Sequence, residues 1–129
     1  MTVPLSVLIV DDELAIRLLC RVNLTADGMA VREAGDGDSA LAAMHDAQPD
    51  VVLLDVMLPG DDGFAIAARI REDPLIAKTP IIFLTARADI EDRDRERRVG
   101  AAGHITKPFN PIDLARAVRA ILKSTRLPS

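Results

Sequence analysis

Three apolar tetrapeptides, residues 7–10, 51–54 and 81–84, each stop at a polar residue: Asp11, Asp55 and Thr85. Runs of Val, Ile and Leu this long, with no polar alternation, read as strands covered on both faces. Such strands belong to parallel sheets held between helices, and in those sheets ligands and chemistry gather beyond the carboxyl ends of the strands. The pattern therefore delivers Asp11, Asp12, Asp55 and Thr85 to one edge of one sheet.

Strand and helix patterns alternate along the chain. A strand over 5–10 precedes a helix over 13–25 that carries Ile16, Leu19, Cys20 and Leu24 at spacings of three and four. Gly28 ends that helix, and a weaker edge strand covers 29–34. Asp36 caps a helix to about residue 47 with Leu41 and Met44 facing inward. A third strand spans 50–54. Residues 59–63 form a loop, with Asp62 capping a helix that carries Phe64, Ala67 and Ile70. Pro80 introduces the fourth strand, a helix runs from about 88 to 99, and a short strand covers 102–106. The last helix has Asn110 as N-cap, Pro111 in its first turn, and Leu114, Val118 and Ile121 as an apolar stripe. Five βα periods joined by right-handed crossovers make an α/β, doubly wound, flavodoxin-like domain. Among the doubly wound strand orders, 2-1-3-4-5 is expected, because it sets strands one and three side by side at the switch point.

At 129 residues the chain is expected to be a single domain, with its core over about 5–123 and residues 124–129 a tail or the start of a linker. A net charge of −4 argues against a general nucleic-acid surface. No apolar stretch approaches a membrane span and the first residues form no signal peptide. The one cysteine, Cys20, allows no internal disulfide, reads as core filler and suits a reducing cytoplasm. Three Phe with no Trp or Tyr weaken any reading that needs a stacking platform for bases or flavin. His45 is expected on the surface.

If strands one and three adjoin, Asp11, Asp12 and Asp55 crowd together. Two unit charges about 4 Å apart repel by roughly 4 kcal/mol at an effective dielectric near 20. Such a cluster protonates or binds a cation, and an all-oxygen ligand set with open positions suits Mg²⁺. The bland alternative is an N-cap for Asp12 and a solvated loop end for Asp55; three converging carboxylates outweigh it. Thr85 and Lys107, at the ends of strands four and five, offer a hydroxyl and an ammonium on the same edge. Pro108 stops the fifth strand directly after Lys107. A cation and a donor are what a phosphoryl group needs. Together these groups describe phosphoryl transfer onto a carboxylate.

The stretches Val7-Leu8-Ile9-Val10-Asp11-Asp12-Glu13, Asp55-Val56-Met57-Leu58-Pro59-Gly60-Asp61-Asp62-Gly63, Thr85-Ala86 and Lys107-Pro108-Phe109 resemble the receiver domain of two-component response regulators. The resemblance covers about residues 5–123. It implies a phosphorylation-dependent signalling switch and not an enzyme. Asp55 would be the phosphoacceptor, taking its phosphoryl group from a histidine kinase or histidine phosphotransfer protein. Asp12, Asp55 and the backbone carbonyl of Met57 would hold Mg²⁺, or Mn²⁺ as a substitute, with Asp11 supporting. Thr85 and Lys107 would contact the phosphoryl oxygens, and the Lys107–Pro108 bond would be cis. The relay would run from Thr85 to the switch position, where relatives carry an aromatic residue and this chain carries His104, which can also ionise near neutral pH. Its readout would be the face formed by the fourth helix, fifth strand and fifth helix. Met57 and Arg87 would flank the phosphoryl group and shield it from water.

The same resemblance implies a cytoplasmic protein acting through a downstream protein or a fused output domain. It implies no direct nucleic-acid or membrane binding, and a weak homodimer on phosphorylation. Ala102 and Gly103, where DNA-binding relatives often carry an acidic pair, lower the expectation of that dimer. Two alternatives stay open: a degenerate receiver that binds partners unphosphorylated, and a small Mg²⁺-dependent phosphatase with Asp55 as nucleophile. A flavodoxin-like electron carrier would share the fold but lacks the aromatics. The fourth helix has only Ile90 and Val99 as apolar residues. It is expected to rely on the i,i+4 pairs Glu91/Arg95 and Asp94/Arg98, about 0.3–0.5 kcal/mol each, and to fray readily.

Overall fold

The computed structural model describes residues 3–58, 60–86 and 90–126. Five parallel strands form one sheet: β1 (Ser6–Val10), β2 (Ala30–Ala34), β3 (Val51–Asp55), β4 (Ile81–Thr85) and β5 (Gly103–Thr106). Their order is β2-β1-β3-β4-β5, so β1 and β3 are neighbours and the strand order reverses between them, as expected. The helices are α1 (Leu14–Ala26), α2 (Gly37–Asp46), α3 (Gly63–Glu72), α4 (Ile90–Arg98) and α5 (Leu114–Arg126), the last entered through a 3₁₀ turn at Pro111–Asp113. No helix of the described residues is long and apolar enough to cross a membrane.

The uninterrupted apolar runs are explained by two cores, one on each face of the sheet. Odd and even residues of a strand point to opposite faces. Leu8, Val10, Val52, Leu54, Ile81 and Phe83 pack under α2 and α3, against Met44, Phe64, Ile66 and Ile70. Val7, Ile9, Val51, Leu53, Ile82 and Leu84 pack under α1 and α5, against Cys20, Leu24, Leu114 and Val118. Cys20 is fully buried, and burial chiefly, with the Asp11 charge adding, pushes its thiol up to about 11.

Local departures from the sequence reading have identifiable causes. Leu19 is 39% exposed, and Cys20 and Leu24 carry the inward face of α1. On α5 the buried set is Leu114, Ala115, Val118 and Leu122, with Ile121 only partly covered, against Gly103 of β5. The expected loop at 59–63 holds a short antiparallel ribbon, Met57–Leu58 against Asp61–Asp62. In α4 the buried side chains among those described are Asp92 and Glu96, so its underside is acidic. Its expected i,i+4 pairs give way to other partners: Arg95 turns to Asp62, and Asp94 pairs with Arg97.

A tie that hydrophobic patterning does not reveal holds the end of α4. Arg71 on α3 donates from Nε to the Val99 carbonyl at 2.7 Å and from Nη2 to Gly100 at 3.2 Å. Its Nη1 donates to the carbonyls of Ala77 and Thr79, both at 2.7 Å. Burial pulls its pKa down, but the guanidinium keeps its charge. Arg71→Leu is expected to cost about 2–3 kcal/mol in urea unfolding, because four carbonyls lose a charged donor. Arg71→Lys should recover less than half of that, since one ammonium cannot span the four acceptors.

Candidate functional site

The strand register sets the site. Val10 lies beside Leu54, so the next residues, Asp11 and Asp55, emerge level at the carboxyl edge. Thr85 lies beside Thr106, which places Lys107 just beyond, its N–H donating to the Thr85 carbonyl at 2.7 Å. The Lys107–Pro108 peptide is cis, as the resemblance implied.

Asp11 is fully buried and fully engaged. Its Oδ1 accepts the Glu13 N–H at 2.9 Å, and its Oδ2 accepts from Lys107 Nζ at 2.8 Å. Its backbone carbonyl accepts from Arg17 Nη1 at 2.6 Å, and Arg17 is itself held by Glu33. Asp55 Oδ1 accepts the Met57 N–H at 3.1 Å, while Oδ2 lies 3.3 Å from Lys107 Nζ. Asp12 is exposed, and one carboxylate oxygen each from Asp11, Asp12 and Asp55 fall within 4.8 Å of one another. Three carboxylates and one ammonium leave a local charge of −2, which one divalent cation would balance. The donors are all hard oxygens, and no His or Cys shares the cluster. The residues present therefore fit Mg²⁺.

The electrostatics follow from this crowding. Burial, chiefly, raises the Asp55 pKa from the ordinary carboxylate value; the Met57 N–H pulls it back, Asp11 pushes it further up and Lys107 opposes. Burial would depress the Lys107 pKa, but the bonds and charges of Asp11 and Asp55 outweigh it and leave the ammonium raised. Lys107 is thus a fixed cation between two acids.

The other expected residues are placed as follows. Thr85 is buried at the end of β4, on the same edge as Asp55. Met57 follows Asp55 at the start of the ribbon, its side chain largely exposed. His104 lies on β5 with Nδ1 3.0 Å from Glu96 Oε1 of α4, a link that no local pattern in the sequence reveals. Arg87 lies outside the described residues. His45 is partly exposed, paired with Asp73 of the α3 end at 2.6 Å.

Gly63 is a supporting residue whose role was visible in the sequence only as the end of a turn. A Cβ built there would sit 2.3 Å from the Asp55 carbonyl oxygen and 2.8 Å from the Val56 Cα. Both are backbone atoms, so neither yields cheaply. Gly63→Ala is expected to cost about 2–3 kcal/mol in chemical denaturation by overpacking, displacing the backbone that carries Asp55. Stability equal to wild type would mean that this contact is not tight.

The family model of the response regulator receiver domain matches residues 7–119 of the chain. The phosphate regulon transcriptional regulatory protein PhoB of Pseudomonas aeruginosa is 41% identical over 120 residues, 93% of this chain and 52% of that protein. The DNA-binding dual master transcriptional regulator RpaA of Synechocystis is 40% identical over 123 residues, 95% of this chain and 51% of that protein. The chain thus spans about half the length of the curated relatives it matches. Among solved structures, the chemotaxis protein CheY4 of Vibrio cholerae superposes with a TM-score of 0.87 at 34% identity, covering 92% of this chain and 99% of that one. With this fold, strand order and carboxylate cluster, the chain belongs to the response regulator receiver domain family.

Proposed function

We propose that the chain is a phosphorylation-dependent switch in which Asp55 accepts a phosphoryl group from a histidine kinase or histidine phosphotransfer protein. One observation carries this reading: Asp55 meets Asp11, Asp12 and the Lys107 ammonium at the strand edge, with a local charge of −2. An Asp55 carboxylate oxygen attacks phosphorus, the bond to the donor's imidazole nitrogen breaks with its electron pair leaving on that nitrogen, and an aspartyl phosphate forms. Mg²⁺ or Mn²⁺, when bound by Asp11, Asp12, Asp55 and the Met57 carbonyl, supplies neutralisation of the phosphoryl charge. Lys107 stands 3.3 Å from Asp55 Oδ2, at hand to bond a phosphoryl oxygen that occupies this side. Thr85 donates its hydroxyl to another. The domain promotes its own loading and hydrolysis and turns over no separate substrate, so it is a switch and not an enzyme; Met57 and Arg87 set the lifetime by excluding water.

The donor has an apolar landing surface beside this edge. Leu14, Leu18 and Val22, four residues apart along α1, are 69%, 56% and 58% exposed, and Ile112, before α5, is 83% exposed. Large apolar side chains concentrated on one exposed helix face mark a contact surface. The signal leaves through Thr85 and His104 to α4, β5 and α5, and from there to a downstream protein or an output domain, in the cytoplasm. A weak homodimer on phosphorylation is part of the same reading. Incubation with acetyl phosphate, with and without Mg²⁺, followed by intact mass should show one added phosphoryl group, about 80 Da, only with the metal. No adduct on the native chain would overturn the reading.

A further inference from the structure

Asp62 and Gly63 are adjacent in the chain and grip two different parts of the molecule. On one side, the Gly63 N–H donates to the Val56 carbonyl at 2.8 Å, and its bare Cα packs on the Asp55 carbonyl. On the other, Asp62 has two partners. Its Oδ1 accepts the Phe64 N–H at 2.7 Å as the N-cap of α3, and its Oδ2 accepts from Arg95 Nη2 of α4. The Arg95 guanidinium also lies over the Phe64 ring, 4.1 Å from its centroid, and Phe64 packs on Phe83 of β4 at 4.7 Å.

A lone half-exposed ion pair contributes little. Here the same guanidinium also stacks on a buried ring, and the same carboxylate is also a helix cap. Each partner is therefore held in place by a second contact, so less conformational freedom is lost when the pair forms. Arg95 meanwhile belongs to a helix whose buried described side chains are the acids Asp92 and Glu96, with no apolar stripe to seat it. Polar ties such as this one must do more of the seating.

We propose that Arg95 is a positioning residue for the phosphoacceptor: through Asp62 it holds Gly63 against the Asp55 backbone and couples Asp55 to α4 by a route that passes through neither Thr85 nor His104. The proposal rests on the reading of Asp55 as phosphoacceptor. Coupling of this kind is reciprocal at equilibrium, so a partner that binds α4 more tightly in the loaded state favours that state of Asp55 by the same factor.

The test is a double-mutant cycle on the full chain with Arg95→Leu, Asp62→Asn and their combination, where Asn keeps the cap but removes the charge. Two quantities are read: the hydrogen-exchange rates of the Met57 and Gly63 amides, and the initial rate of adduct formation with acetyl phosphate and Mg²⁺. Arg95→Leu is expected to speed exchange at Gly63 and slow loading, each by about three- to fivefold, with the double variant no worse than either single one. Arg95→Lys should restore part of the loss through charge alone. Arg69→Leu breaks a comparable surface pair, to Asp38 at 3.1 Å, and should move neither readout. Unchanged exchange and loading in Arg95→Leu, additive effects in the cycle, or an equal effect of Arg69→Leu would overturn the proposal. If the native chain takes no adduct, the phosphoacceptor reading fails, and the exchange cycle alone then decides whether Arg95 positions this backbone.

Discussion

The Asp55→Asn variant should take up no phosphoryl group and, in metal-free buffer at neutral pH, should unfold at a higher temperature than the wild type. The first half follows from removal of the attacking carboxylate. The second follows from charge. Burial and the neighbouring Asp11 raise the Asp55 pKa in the folded chain, so the folded state holds this proton more tightly than the unfolded one. Stability contributed by Asp55 is then present below its unfolded pKa and lost as the pH rises through the raised folded value. At neutral pH the carboxylate is a cost, and the amide removes it. Lys107 keeps its 2.8 Å bond to Asp11, so no buried charge is orphaned by the substitution. A gain of about 1 kcal/mol, roughly 3–5 °C in Tm, is the expected scale. The two melting temperatures should converge as the pH is lowered to where Asp55 takes up its proton. A less stable Asp55→Asn in metal-free buffer would sink the charge-crowding account.

Lys107→Ala should act in the opposite sense and more strongly. The Lys107 pKa is raised, so its contribution is fully present below its unfolded value and is lost only as the pH climbs through the higher folded one. At neutral pH the whole of it is therefore at stake. Removing the ammonium leaves the fully buried Asp11 without its cation, which costs about 3 kcal/mol or more in denaturant unfolding. Added Mg²⁺ should recover more stability in this variant than in the wild type, because the remaining acids carry a larger uncompensated charge. Loading by acetyl phosphate should slow by about 100-fold, the loss of one charge-stabilising group. A variant as stable as the wild type would show that the pair with Asp11 contributes nothing net.

What could be read from the chain alone was set by the range of the interaction. The strands were legible because four consecutive covered residues leave a continuous apolar run, and the acids at their ends were legible because a strand delivers its last residue to a known edge. The two-faced core follows from the same alternation. The inward face of α1 was harder: Leu14, Leu18, Leu19 and Val22 are as apolar as Cys20 and Leu24, so periodicity alone could not say which of them face solvent. The ties made by Arg17, Arg71 and Arg95 were invisible for another reason. Each pairs residues from separate elements, and a lone arginine at a helical position carries no mark of its partner. Glu96 and His104 illustrate the point, since the sequence showed a charged run where the fold makes a buried acidic underside with a histidine against it.

The sealed thiol of Cys20 has a practical consequence. With that sulfur out of solvent and its ionisation pushed to about 11, alkylating reagents at neutral pH find almost no native thiolate to attack. The chain also has no tryptophan. A single cysteine or indole introduced on the exposed face of α4 would report its own surroundings against a silent background, with no native residue to be removed first.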